Sequence, residues 1–184
     1  MLLDEDKVSA MLKKEHKHGY DIIVDEAAVT VMTEKWMITM ARDQIPRKVL
    51  GTLVEHMGLL PQAPASLKVI KGDLGNQELI WDVAAADIEA MRRVTAEAKP
   101  AELTKLIYEG LALWQAEDRL LYGAVSGVRH LLEAPERGAM VLDGDRIMWT
   151  DEGQRLIMTC FRPYSGIEAE RWQVLESADW RKKE

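Results

Sequence analysis

Between Ala101 and Leu132 the apolar positions recur at alternating spacings of four and three, through Leu103, Ile107, Gly110, Trp114, Leu121, Ala124, Val128 and Leu131. That period predicts an amphipathic helix over 101–132. Leu106, Leu111, Leu113, Leu120, Val125 and Leu132 widen the stripe, so the helix is expected at the centre of the fold with more than one neighbour. Glu117 is the one charged residue on its seam. A straight helix of this length would run about 48 Å, against roughly 40 Å across a compact domain of this size. A kink or break near Gly123–Gly127 reconciles the two.

The flanking pattern predicts shorter elements. Asp4 or Asp6 can cap a helix carrying Val8, Met11 and Leu12, stopped by Gly19. Residues 20–24, 28–33 and 36–41 are rich in β-branched residues and methionine, alternate along part of their length, and read as a three-strand antiparallel meander. A helix opened by Pro46 and closed by Gly58 follows, and then a connector holding Pro61 and Pro64. A hairpin is expected over 67–81, its loop being Gly72–Asn76, and a helix over 84–98. Beyond Leu132, Pro135 and Gly138 mark a break, three more strands follow at 139–142, 146–150 and 155–161, and a last helix carries Ile167, Trp172 and Leu175. The expected class is therefore α+β, with antiparallel meanders and hairpins packed against helices and a long central helix. One domain spanning 1–184 is expected, with sub-units at 1–62, 67–134 and 138–184.

Residues 24–40 can be laid on 142–158 without a gap at an offset of 118, which matches Asp25 with Asp143, Glu34 with Glu152 and Met40 with Met158, and sets Ile38 on Leu156. Three identities in 17 positions are few, but the repeated plan of strand, turn, strand, turn, strand and helix raises an internal repeat as an expectation. The first 100 residues also run helix, three strands, helix, two strands, helix. This order is similar to that of type III secretion chaperones, which are also small and acidic; the similarity is one of order, without a shared motif.

Composition narrows the partners. A formal charge of −7 disfavours nucleic acid and anionic lipid surfaces, both of which call for clustered Lys and Arg. No stretch of about 18 apolar residues occurs and no leader is evident, so a cytoplasmic protein without membrane segments is expected. The single Cys160 fits a reducing compartment and reads as a small buried apolar residue.

Candidate chemistry is sparse. His16 and His18 flank Lys17 and could meet one metal ion if the segment were extended, but neighbouring lysines oppose a cation. His56 and His130 lack a second ligand at helical spacing. The glycines of 72–75 match neither the dinucleotide fingerprint nor the lysine-bearing P-loop. Glu117, if buried between Trp114 and Leu121, would need a partner such as Arg119 or Arg129, or a raised pKa. Six tryptophans and ten methionines against one phenylalanine suit an adaptable binding surface. The function expected is a non-enzymatic interaction or regulatory protein, meeting a protein partner or a second copy of itself through that surface, without a cofactor. The alternative is a small-molecule binding protein or enzyme with a pocket between sheet and long helix, in which Glu117 acts as acid or base and Trp114, Arg119 and Arg129 line the site.

Overall fold

Asp4 accepts hydrogen bonds from the Asp6 and Lys7 amides, 3.1 Å each, and so starts α1 (Glu5–Glu15). Acids in its first turn and lysines in its last suit the helix dipole. The structure, a computed structural model, describes residues 2–72, 77–81, 98–142 and 145–181. After α1 come β1 (Tyr20–Val24), β2 (Ala28–Met32), β3 (Trp36–Ala41), α2 (Arg47–Met57), β4 (Ala65–Lys71) and β5 (Gln77–Trp81). Then follow β6 (Lys99–Tyr108), β7 (Leu111–Ala116), β8 (Leu121–Val125), β9 (Ala139–Leu142), β10 (Arg146–Asp151), β11 (Gln154–Thr159) and α3 (Gly166–Glu176). The expected helix over 84–98 and the loop at Gly72–Asn76 lie wholly or mostly outside the described residues.

The α+β architecture built on a long central helix is overturned. The strands form one 11-stranded antiparallel sheet in the order β5-β4-β1-β2-β3-β11-β10-β9-β6-β7-β8, with short helices against it. Residues 101–132 are three strands and a 3-10 turn (Val128–Leu131), with no helical seam and no kink to place at Gly123–Gly127. The physical reason is burial on both faces. Ala112 through Ala116 are all buried, as are Leu121 through Ala124, so the polar half of a two-residue alternation is missing and a four-three count passes through by coincidence. Between β6 and β7, Glu109 (φ 49°) and Gly110 (φ 82°) form a two-residue turn with both residues left-handed, the geometry that matches strand twist.

The two meanders meet edge to edge. β3 pairs with β11 so that Ile38 stands opposite Leu156, flanked by Met40 with Gln154 and Trp36 with Met158. Ile38 and Leu156 are also the residues that coincide at the offset of 118, so the joint pairs positions that the alignment equates. The correspondence slips at the far strands. Val24 pairs with Val29 across the β1–β2 turn, but Leu142 pairs with Arg146 across the β9–β10 turn, so the second turn is one residue shorter. Val141, not Leu142, therefore shares Val24's face.

One face carries Tyr20, Ile22, Val31, Trp36, Ile38, Leu156, Trp149 and Trp114 in a single apolar cluster that also holds Val8 and Leu12 of α1 and Val49 and Leu53 of α2. Met37, Leu142, Met148 and Ile157 form a second cluster on the other face. The far edge then curls back: Gly123 in β8 and Phe161, just past β11, exchange two backbone hydrogen bonds of 2.9 and 2.7 Å. Strands β11-β10-β9-β6-β7-β8 thus close on themselves around Trp114 and Trp149, whose rings meet edge to face at 5.6 Å. Trp172 of α3 packs on the outside of this ring with Leu113 and Leu121.

Gly123 is where ring and helix come closest. A Cβ there would lie 2.9 Å from Leu111 Cδ1 and 3.1 Å from Trp172. Gly123→Val is expected to lower stability by about 1–3 kcal/mol through overpacking. Gly51 lies on the exposed side of α2, where an added methyl would meet nothing within 4 Å, and its replacement by Ala is expected to gain up to about 1 kcal/mol. Urea midpoints followed by far-UV circular dichroism check both, and an unaffected Gly123→Val variant would contradict the close packing.

Candidate functional sites

Three places carry unusual chemistry. The first is a buried aromatic cluster. His16 follows Val8 and Leu12 at four-residue spacing on the buried face of α1, and His56 follows Val49 and Leu53 on that of α2. Their rings stack at 3.9 Å, and Tyr20 Oη lies 3.0 Å from His56 Nδ1. His16 Nε2 is buried without a hydrogen-bond partner among the described residues. Burial lowers the pKa of His16, and Lys71 lowers it further against an opposing pull from Glu55. Burial likewise takes His56 to about 4, helped by His16 and Lys13 and opposed by Glu55. Burial also raises the Tyr20 hydroxyl.

The second is a polar cavity of about 660 Å³ at the corner where α1 turns through Gly19 into β1. His18 and Asp21 line it, and so do Lys14 and Lys68. Asp21 Oδ1 is buried with no hydrogen-bond partner among the described residues. Burial raises the Asp21 pKa, and nearby Lys68 moderates the rise.

The third is apolar and lies where the ring closes. Phe161, Tyr164 and Ile167 are 54%, 78% and 69% exposed, and Val174 lies seven residues after Ile167 on the same side of α3. Two cavities, of about 270 and 440 Å³, adjoin Phe161. The other side of α3 is pinned. Trp172 takes Phe161 and Tyr108 edge-on at 6.1 and 5.9 Å, and Tyr108 Oη donates to Glu168. Arg162 reaches both Glu176 oxygens, at 3.2 and 3.1 Å, and Glu176 Oε1 also accepts from the Leu121 amide at 2.9 Å. Gln115, fully buried, donates to the Arg119 and Ala178 carbonyls and accepts from the Trp180 amide, which ties the segment after α3 to β7. Cys160, between the two cavities, has its thiol pushed up to about 12 by burial and by Asp145, so it stays a protonated thiol at neutral pH.

The residues singled out from the sequence are not brought together. Trp114 is interior to the ring. Glu117 and Arg119 are exposed in the β7–β8 turn, so the buried helical seam that drew attention to Glu117 does not exist. Arg119 contacts the Ser177 carbonyl at 3.4 Å, and Arg129 sits apart from them in the 3-10 turn. His16 is interior and His18 exposed, so the two do not share a site. Among the described residues no group of three or more His, Cys, Asp or Glu is placed to hold a metal ion, and no helix is long and apolar enough to cross a membrane. Sequence reasoning missed the stack of His16 on His56, although each continues the apolar stripe of its helix. Comparison with protein-family models, curated proteins and solved structures returns no match.

The histidine stack makes stability depend on pH. Unfolded, each histidine titrates near its ordinary 6.5, while the folded His56 holds out to about 4. The unfolded chain therefore binds protons first, and stability falls as pH drops from about 6.5 toward about 4, levelling off below. The urea midpoint is expected to fall between about pH 6.5 and about pH 5, a range above most carboxylate titration. His56→Phe keeps a stacking ring but removes the titration and should flatten that slope. An unchanged slope in the variant would remove His56 from the account.

Proposed function

We propose that this chain is a non-enzymatic interaction protein that holds a basic, apolar segment of a partner protein across Phe161 and the outer side of α3. One observation carries the reading: α3 is apolar on two sides and only one side is packed. Trp172 and Leu175 face the ring, whereas Ile167 and Val174 face out beside Tyr164 and Phe161. A surface helix normally needs one apolar stripe, so a second is support for a contact made outside this chain. The two cavities beside Phe161 offer places for apolar side chains of the partner. Charge supports a basic partner. The chain as a whole carries −7, and Asp145 and Glu168 line the larger cavity, each meeting an arginine of its own, Arg146 and Arg171, as Arg162 meets Glu176.

This surface differs in composition from the tryptophan- and methionine-bearing one expected from the sequence. Trp36, Trp114, Trp149 and Trp172 are interior, as are Met37, Met40, Met57, Met148 and Met158.

The test is selection of displayed peptides on the intact protein. Enriched sequences should combine aromatic or aliphatic residues with Lys or Arg. Phe161→Asp or Ile167→Asp should each weaken a selected peptide by about thirtyfold, the size expected for a central contact. Leu59→Asp, at an exposed leucine outside the site, should leave binding intact. Enrichment of acidic peptides, or binding that survives both substitutions at the site, would overturn the reading. So would a dimer that Phe161→Asp converts to monomer, because the surface would then belong to a second copy.

A further inference from the structure

The polar cavity beside Gly19 is lined on opposite terms from the apolar surface, and nothing in the proposed partner contact uses it. Its walls carry three cations, Lys14, Lys35 and Lys68, and three carboxylates, Glu15, Asp21 and Glu34. They balance to no net charge. Asp21 stands opposite Lys68 in the β1–β4 ladder, yet no ion pair joins the two side chains, and Asp21 Oδ1 keeps no hydrogen-bond partner among the described residues. Gly19 lies beside the lysine. Its φ is 88°, and a Cβ on it would lie 2.8 Å from Lys68 Cε, so the lysine stem lies across the bare glycine backbone.

A carboxylate that lines a cavity without a partner is destabilised there, and the N–H groups of a ligand would answer it. An ammonium is the donor that also answers the charge. An anionic group on the same ligand would in turn find the lysines. The volume, about 660 Å³, lies within the range of small-ligand sites. We propose that this cavity binds a small zwitterion, its ammonium at Asp21 and its carboxylate at the lysines, as in a free amino acid or a short peptide.

Binding is read by isothermal titration and by the rise in melting temperature of the full chain. The probes are glycine, γ-aminobutyrate and triglycine, which space the two charges differently, together with methylammonium and acetate as single halves. At least one zwitterion should bind and raise the melting temperature, and each half alone should bind at least tenfold more weakly. The best spacing tells amino acid from peptide. Asp21→Asn, which removes the unpaired charge, should fold at least as stably as the unaltered protein and lose binding by tenfold or more, as should Lys68→Met. Absence of binding by all three zwitterions would overturn the proposal. Acetate binding as well as the zwitterions would also do so, by making the cavity an anion site, as would Asp21→Asn that binds unchanged. Phe161→Asp should not alter zwitterion binding, so the outcome is separable from that of the apolar surface.

Discussion

The pairing of β3 with β11 is the joint on which the rest of the structure depends. It joins segments more than 110 residues apart in the chain, and without it the 11-stranded sheet would be two smaller sheets, each with an exposed apolar edge strand. Trp36, Ile38 and Met40 put large side chains on one face of that joint, opposite Met158, Leu156 and Gln154, while Met37 with Ile157 covers the other. Register here is strongly specified, since a one-residue slip would exchange the two faces and set Thr39 and Arg155 under the helices. Gln154 adds a polar lock. Its Oε1 accepts the Leu2 and Leu3 amides at 3.0 and 3.2 Å, and its Nε2 donates to the Gln44 carbonyl at 3.4 Å, so the start of the chain is tied to the joint. Such non-local contacts repay their loop-closure cost only after distant segments have met, which places this protein with slow-folding β topologies.

The closing of the ring follows from the joint. Once β11 is held by β3, the chain beyond it is positioned to receive β8 through Phe161, and α3 lands on the outside of β6, β7 and β8. Close approach at Gly123 and the Trp172 ring fix the helix's inner side. That leaves its outer side as the only place for Ile167 and Val174. The apolar surface is therefore a consequence of the way the sheet closes, and its side chains sit on a support that is already rigid, which limits the ordering cost of a contact.

What could be read from the sequence divides along the same physical line. Strands 20–24, 28–32 and 36–41, and the later 139–142, 146–151 and 154–159, are short β-branched or apolar runs set off by acidic turns such as Asp25-Glu26, Glu34-Lys35 and Glu152-Gly153, and both their existence and approximate bounds were legible. Residues 101–132 were not. β7 and β8 are covered on both faces, by the ring interior and by α3, so exposed polar residues do not mark their alternation, the register of β6 shifts between Leu103 and Ile107, and the Glu109-Gly110 turn has a glutamate where Asn or Asp would announce a hairpin. The candidate sites were less legible than the strands, because each joins residues far apart in sequence: His16 with His56, Asp21 with Lys68, Phe161 with Tyr108 through Trp172. Only the stack left a local trace, a histidine where each helical stripe called for an apolar residue.

The buried polar atoms without partners sort the candidate sites further. Trp114 Nε1 and Trp172 Nε1 belong to rings that fill the inside and the outside of the closed strands, where large aromatic area outweighs one lost hydrogen bond. No such offset exists at the α1–β1 corner. His16 and Asp21 lie five residues apart around Gly19: an imidazole whose pKa burial lowers, and a carboxylate that stands opposite Lys68 without an ion pair to it. His16 is enclosed by His56 and Tyr20 and so is spent on the fold. Asp21 lines a cavity and is not enclosed in that way. Of these groups it is the one whose side chain lines a cavity, which sets the corner beside Gly19 apart from the tryptophans, which read as packing.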